Sequence, residues 1–149
     1  MELLRVKNDN GVKTEWNATS EAIIASAEWF FPYLERFVWG ITSQAENYVI
    51  GGVDFLPAQV NELSAKYQIK TIFLGCSRMK VETLDQYPGR SLGYIGLPEK
   101  FRRQIAKDVP LWSEFIEQEA KNFGYPYVDT TTDFPTRLSQ AESLLTSIS

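Results

Sequence analysis

The sequence predicts an α/β fold, a layered domain in which helices flank a parallel sheet of three core strands. Three short apolar segments bounded by turn-forming residues have the composition of buried strands: YVIGGVDF (48–55), KTIFLGCS (70–77) and YPYVDT (125–130). Longer stretches between and around them have apolar residues at three- and four-residue steps, the periodicity of a helix with one buried face. Helices that alternate with buried strands are typical of layered domains with a parallel sheet.

The segment before the first predicted strand contains a turn signal and a long amphipathic helix. Residues 1–16 alternate loosely around an Asn-Gly pair, which favours a short N-terminal strand or hairpin. Thr19-Ser20 then offers capping side chains, and apolar residues recur at helical spacing as far as Ile41. Pro32 lies inside this pattern, so we expect a kink or a break near Phe31.

The middle of the chain predicts a parallel β-α-β unit. Pro57 favours the start of a short helix between the first two strands, and the whole unit occupies about 28 residues. Such a connection is almost always right-handed. Beyond the second strand, KVETLDQY (80–87) has the pattern of a further helix.

The last third of the chain predicts helices on both sides of the third strand. One helix is expected from about residue 98 to 108, and Pro110 is expected to begin another that runs to Asn122. Gly124 can stop that helix, because glycine adopts the left-handed conformation found at many helix ends. FPTRLSQAESLLTSI (134–148) is expected to form a closing amphipathic helix.

Composition limits the chemistry that this chain can perform. Its 149 residues are most simply a single domain, and 44% of them are apolar, which suffices for a packed core. Histidine is absent, so catalytic arrangements and zinc sites that need histidine are excluded.

The single cysteine, Cys76, cannot form an internal disulfide, and we expect it to be a buried thiol in a cytoplasmic protein. No apolar stretch approaches the roughly 20 residues that span a bilayer, so no membrane partner is expected.

Positive charge is concentrated in one part of an otherwise acidic chain. The net charge is -4, which disfavours nucleic acid as a partner, yet residues 77–109 carry seven basic and four acidic side chains. That segment therefore has a charge of +3 and the remainder a charge of -7. A basic segment in an acidic protein favours a site for an anion. The alternative, a solvated surface of mixed charge, stays open at this point.

The order, spacing and local sequence of three segments resemble the later two-thirds of a P-loop kinase. They are residues 47–77 (NYVIGGVDFLPAQVNELSAKYQIKTIFLGCS), the basic segment 77–109, and residues 114–145 (EFIEQEAKNFGYPYVDTTTDFPTRLSQAESLL). The likeness is to the small-molecule and nucleotide kinases related to adenylate kinase, and it covers roughly residues 20–147. It implies a mobile, lid-like role for residues 77–109. It also implies transfer of a phosphoryl group from ATP, with Mg²⁺, to a small hydroxyl or phosphate acceptor.

Two departures from this family pattern weaken the expectation of catalysis. The phosphate-binding motif G-x-x-x-x-G-K-[ST] occurs nowhere in the 149 residues, and Gly51-Gly52 is not followed by Lys-Ser or Lys-Thr. Gly51 also stands where the family usually has the acid that orients the magnesium shell. We therefore expect a P-loop NTPase-like fold that lacks the N-terminal P-loop strand, in a fragment or degenerate relative that is inactive alone. ATP and Mg²⁺ are expected only if an upstream P-loop exists; otherwise no cofactor or metal is expected.

Several side chains are candidates for binding, although no catalytic residue can be assigned. Arginine suits phosphate because its planar group donates two parallel hydrogen bonds. The phosphate- or substrate-binding candidates are Asp54, Arg78, Arg90, Arg102 and Arg103. By resemblance, the loop that touches the nucleotide base includes Thr130 and Thr131. In the same loop Asp129 and Asp133 could contact a metal or a ribose, or Asp133 could simply cap the helix that follows.

A different class of function is compatible with the same residues. A non-catalytic binding or regulatory protein would keep the α/β scaffold and an anion pocket for a phosphate-bearing small molecule. Such a chain could form a homodimer through its aromatic helix or its exposed strand edges.

Overall fold

A computed structural model of the chain describes residues 20–44, 47–86 and 98–147, without the side chains of Leu84 and Asp85. In chain order its elements are α1 (Ser20–Thr42), α2 (Pro57–Ser64), β1 (Phe73–Gly75), α3 (Val81–Gln86), α4 (Glu99–Asn122), β2 (Tyr127–Asp129) and α5 (Phe134–Ser147). The fold is a mixture of helix and strand that is mostly helical. The hairpin predicted for residues 1–16 lies outside the described residues.

The second and third predicted strands form, and they pair with each other in parallel. Phe73 lies opposite Tyr127, and Gly75 lies opposite Asp129. The ladder includes a hydrogen bond from the amide of Phe73 to the carbonyl of Pro126, at 2.9 Å. Because the strands are parallel, their carboxyl ends meet at one edge of the sheet, where ligands of open α/β sheets bind.

The first predicted strand is not present, so the described residues contain two core strands rather than three. Residues 47–56 have no strand pairing, and the prediction of a β-α-β unit within this region was wrong. Side chains that were expected to be buried are exposed, with 96% of Val49 and 70% of Val53 open to solvent. Gly51-Gly52 interrupts the apolar run, and glycine inside a strand offers no side chain to pack.

Two helices continue through prolines at which a break was expected. Pro32 lies inside α1 and Pro110 inside α4, so each helix lacks one backbone hydrogen bond at a cost of about 3 kcal/mol. Both helices bury apolar side chains on either side of the proline, and this burial favours one continuous helix over two separate ones. The buried residues that flank the two prolines are Ala27, Leu34, Ile105 and Ile116.

The core lies where α1, α2 and α4 meet the first strand. One cluster of buried side chains joins Ala27 of α1 to Val60 of α2, Phe73 of β1 and Ile116 of α4. A second cluster joins the C-terminal half of α1 to α2 through Leu34, Val38 and Leu63. Helix α4 therefore forms the main support of the sheet.

Gly124 ends α4 as the sequence predicts. Its φ angle is 73°, in the left-handed region, and its amide donates to the carbonyl of Lys121 at 3.2 Å. The amide of Tyr125 reaches back to the carbonyl of Ala120 at 2.8 Å, which completes a Schellman motif. This turn directs the chain from α4 into β2.

Gly75, the last residue of β1, is required by close packing rather than by its backbone angles. A Cβ atom at this position would lie 2.0 Å from the Tyr127 hydroxyl oxygen and 2.9 Å from the Ser113 Cβ. Tyr127 belongs to β2 and Ser113 to α4, so an added Cβ would press against both elements.

We therefore predict that Gly75→Ala lowers the free energy of unfolding by about 1–3 kcal/mol, because it overpacks a filled site. The measurement is urea denaturation followed by circular dichroism. Gly51→Ala is the matched control, since a Cβ there meets nothing within 4 Å. Equal stabilities of the two variants would contradict the close packing at Gly75.

Candidate functional site

A single carboxylate organises the edge of the sheet where the two strands end. Asp129 accepts hydrogen bonds from the amide and hydroxyl of Ser77, which follows β1, and from the amide and hydroxyl of Thr131, which follows β2. The amide donors lie 3.2 and 2.9 Å from Oδ1 of Asp129. We refer to Asp129, Ser77 and Thr131 as the carboxylate clamp, because together they tie one loop to the other.

Further hydrogen bonds extend the clamp in both directions. The Thr131 hydroxyl oxygen accepts from the Arg78 amide at 3.1 Å, and the Cys76 thiol donates to the Arg78 carbonyl at 3.3 Å. Thr130 donates to the carbonyl of Gly75 through both its amide and its hydroxyl, each at 2.7 Å. The turn that leaves β1 is therefore held at several consecutive residues.

Helix α4 holds the same turn from the opposite side. The buried Ser113 hydroxyl accepts from the Cys76 amide at 2.8 Å and donates to the Val109 carbonyl at 2.7 Å. Tyr127 packs beside this serine. Burial, and secondly the negative charge of Asp129, raise the pKa of Tyr127 to about 12, although the Ser113 hydroxyl opposes the rise. The phenol is therefore neutral at physiological pH.

Asp129 is ionised in the clamp, where its carboxylate accepts hydrogen bonds from Ser77 and Thr131. Partial burial raises the pKa of Asp129, but the hydrogen bonds from Ser77 and Thr131 outweigh burial and bring the pKa to about 2. Three of the four donors, the Ser77 amide and the amide and hydroxyl of Thr131, bind Oδ1, whereas only the Ser77 hydroxyl binds Oδ2. An acid with this pKa is a poor general base, so the hydrogen bonds favour a role for Asp129 in positioning the loop.

A basic groove opens directly beyond the clamped turn. It is an open depression of about 500 Å³ between the turn that enters α3 and the N-terminal part of α4. We call this depression the basic groove. Its lining residues are Met79, Lys80, Val81, Lys100, Arg103, Gln104, Ala106 and Lys107. Four of them are cations and none carries a carboxylate.

The regular spacing of α4 creates one wall of this groove. Lys100, Arg103, Gln104 and Lys107 follow one another at helical steps, so they share one face. The buried face of α4, with Ile105 and Ile116, points to the core. Lys80 enters the groove from the other wall, two residues after Arg78.

The cations of the groove differ in how far they are neutralised. Arg103 donates through Nε to the Glu99 carboxylate at 2.9 Å, and both side chains are exposed. Lys100 lies 4.7 Å from the centre of the Phe101 ring. Among the described residues, neither Lys80 nor Lys107 forms an ion pair. The contact with the Phe101 ring leaves the charge of Lys100 in place, so within the described part of the chain Lys80, Lys100 and Lys107 supply the charge that no ion pair balances.

The structure divides the residues predicted from the sequence among several places. Of the arginine candidates, Arg103 lines the basic groove, and Arg78 joins the clamp through its backbone while its side chain is exposed. Arg102 is half-buried on α4 and does not line the groove. Asp54 is half-buried in the bend before α2, and Arg90 lies outside the described residues.

The nucleotide-base candidates, Thr130 and Thr131, lie together at the strand ends and bind other parts of the chain. Sequence reasoning missed Ser77 as their partner, because a serine after a strand has no distinctive pattern. It also missed the lysines of the groove in favour of the arginines. The helical spacing of Lys100, Arg103 and Lys107 could have revealed that face.

Two features are absent from the described part of the chain: a cluster of metal-ligating side chains and a helix that could span a membrane. No group of three or more acidic or cysteine side chains within residues 20–44, 47–86 and 98–147 is placed to hold a metal ion. None of the described helices is both long enough and apolar enough to cross a bilayer.

Comparison of the chain with protein-family models, with curated proteins and with solved structures found no significant match. The resemblance to P-loop kinases is therefore carried by the quoted sequence segments alone.

We predict that Asp129→Asn lowers the free energy of unfolding at pH 7 by roughly 1–2 kcal/mol. This loss is smaller than the loss of fully buried hydrogen bonds to a charged group would be, because the clamp is partly exposed to solvent. The pKa of Asp129 is about 2 in the folded protein against 3.8 for the ordinary group. Its contribution is thus complete above about pH 4 and disappears as the pH falls towards 2. The difference between the variant and the parent should shrink over that interval.

Urea denaturation at a series of pH values between 7 and 2.5 measures this effect. Asp133→Asn is the control, because Asp133 is an exposed acid in the same loop. A constant difference between parent and Asp129→Asn across this range would show that the carboxylate does not stabilise the fold through its charge.

Proposed function

We propose that this chain is a non-catalytic binding or regulatory protein that holds a phosphate-bearing small molecule in the basic groove. One observation carries the proposal: four cationic side chains from two separate elements line a single depression that has no carboxylate in its lining. Positive charge that converges from two elements concentrates the field in a way that scattered surface lysines do not.

The chemistry of the groove favours a ligand with several negative charges. In an open, solvated groove each contact between unit charges contributes only about 1 kcal/mol. A ligand with one charge would therefore bind weakly, whereas a pyrophosphate group can contact several cations at once. Arg103 can add a planar pair of donors, and the lysines act as mobile point charges.

The surroundings of the groove support binding more than turnover. Asp129, the last residue of β2, accepts hydrogen bonds from Ser77 and Thr131 and has a pKa of about 2, so it is a poor general base. The phosphate-gripping motif of kinases is missing from the 149 residues. Without that backbone cradle and its lysine, most electrostatic stabilisation of a phosphoryl-transfer transition state is lost.

A second candidate, the kinase-like domain, is favoured by the parallel pairing of β1 and β2 with polar side chains at their carboxyl ends. On this hypothesis a longer sheet with three or more strands would include a P-loop strand supplied from upstream of the 149 residues. ATP and Mg²⁺ would then bind, and residues 77–109 would act as a lid. The phosphoryl acceptor would be a small molecule.

We predict that the Lys80→Glu, Lys107→Glu double variant weakens binding of inorganic pyrophosphate by at least about 10-fold, because each change replaces attraction with repulsion. Isothermal titration calorimetry on the full chain at low ionic strength measures the affinity. Binding to the parent should weaken as salt increases, since the groove is exposed.

Two exposed lysines outside the groove, Lys70 and Lys121, provide the control. A Lys70→Glu, Lys121→Glu variant changes the net charge by the same amount and should bind pyrophosphate like the parent. Equal losses in both variants, or no binding by the parent, would overturn the proposal. Phosphoryl transfer from ATP by the chain alone would instead favour the kinase-like candidate.

A further inference from the structure

The basic groove has an apolar lining beneath its exposed charges. Three of its lining residues, Met79, Val81 and Ala106, are half-buried, and we call them the apolar floor. The other lining residues are polar or charged and are exposed: Lys80, Lys100, Arg103, Gln104 and Lys107. A ligand in the groove therefore lies against hydrocarbon as well as against positive charge.

The local sequence explains why apolar and cationic side chains line the same groove. Met79 and Val81 lie on either side of Lys80, where the chain enters α3, and they are less exposed than the lysine between them. On α4, Ala106 lies three residues after Arg103, on the side of the cationic face that borders the buried face of the helix. Each wall of the groove therefore contributes both positive charge and part of the apolar floor.

The volume of the groove suits an organic ligand better than an inorganic anion. About 500 Å³ lies within the range of roughly 300–1,000 Å³ that is usual for pockets that bind small organic molecules. Such pockets combine apolar side chains with a few polar groups that fix the orientation of the ligand. The methylene groups of the lysine side chains add further apolar surface. A purely inorganic anion has no apolar part, so it would leave the apolar floor in contact with water.

We propose that the ligand of the basic groove is a small organic diphosphate whose hydrocarbon group packs on the apolar floor while its phosphates contact the cations. This inference rests on the proposed function, because it requires that the cations bind phosphate. Removing hydrocarbon from water adds affinity that does not depend on charge. Met79 suits this role because its flexible thioether side chain adapts to ligands of different shapes.

The order of the two layers favours a free molecule over the phosphate headgroup of a lipid. In a bilayer the hydrocarbon stays inside the membrane, so a headgroup would contact the exposed cations and leave the apolar floor unused. The net charge of -4 also disfavours approach to an anionic lipid surface. A free diphosphate can place its hydrocarbon group below the cations, where the floor lies.

The test compares methyl diphosphate with pentyl diphosphate, which have the same charge and differ only in the length of the hydrocarbon chain. Isothermal titration calorimetry on the full chain at low ionic strength should show about 10-fold tighter binding of pentyl diphosphate, because its additional methylene groups are partly buried. The Met79→Gln, Val81→Thr double variant keeps the net charge and the approximate shape of the floor. It should bind methyl diphosphate like the parent and reduce the preference for pentyl diphosphate to less than about 3-fold.

Val53→Thr, Leu111→Gln is the matched control, because both residues are exposed and neither lines the groove. It should bind both probes like the parent, and circular dichroism verifies that each variant is folded. Equal affinities of the parent for the two probes would overturn this inference and leave the proposed function intact, whereas no binding of either probe would overturn both. A floor variant that loses affinity for both probes equally would overturn the inference. Tighter binding to vesicles that contain phosphatidic acid than to pentyl diphosphate would also overturn it, because the ligand would then be a lipid headgroup.

Discussion

The geometry of the candidate site depends on the hydrogen bonds that Asp129 accepts from the residues after both strands. Two strands of three residues each supply few ladder hydrogen bonds, so the loops at their ends need another constraint. A carboxylate that accepts from Ser77 and Thr131 supplies it, because hydrogen bonds to a charged acceptor are roughly twice as strong as neutral ones. The turn after β1 is then held, and with it the wall of the basic groove.

Helix α4 connects the core to the groove. One of its faces packs against β1 and contributes Ile105 and Ile116 to the buried interior, while another presents Lys100 and Lys107 to solvent. Ser113 on the same helix binds the Cys76 amide, which places the clamped turn at a set distance from the helix. Packing of α4 therefore positions both walls of the groove at once, and a disturbance of the core at Gly75 would reach the site.

The same competition between local preference and burial explains the continuous helices and the missing strand. At Pro32 and Pro110 local chemistry favours a break, but apolar side chains on both sides are buried together, and that gain exceeds the lost hydrogen bond. In residues 48–55 the local preference favours a strand. There, no neighbouring strand supplies partners for its backbone in the described structure, and Val49 and Val53 remain exposed. Composition alone could not distinguish these outcomes.

The sequence by itself determined where helix forms, the two strands that formed, the stop at Gly124 and the accumulation of positive charge in residues 77–109, because each depends on local periodicity, capping or composition. It did not determine that α1 and α4 each continue through a proline. It also indicated an anion site, although it favoured arginines over Lys80 and Lys107. Only the tertiary structure decided that β1 pairs with β2, that Ser77 meets Asp129, and that the lysines converge. Those contacts join residues about 20 to 54 positions apart. Which of them form depends on how α4 packs against the sheet, a property of the whole fold that no local pattern encodes.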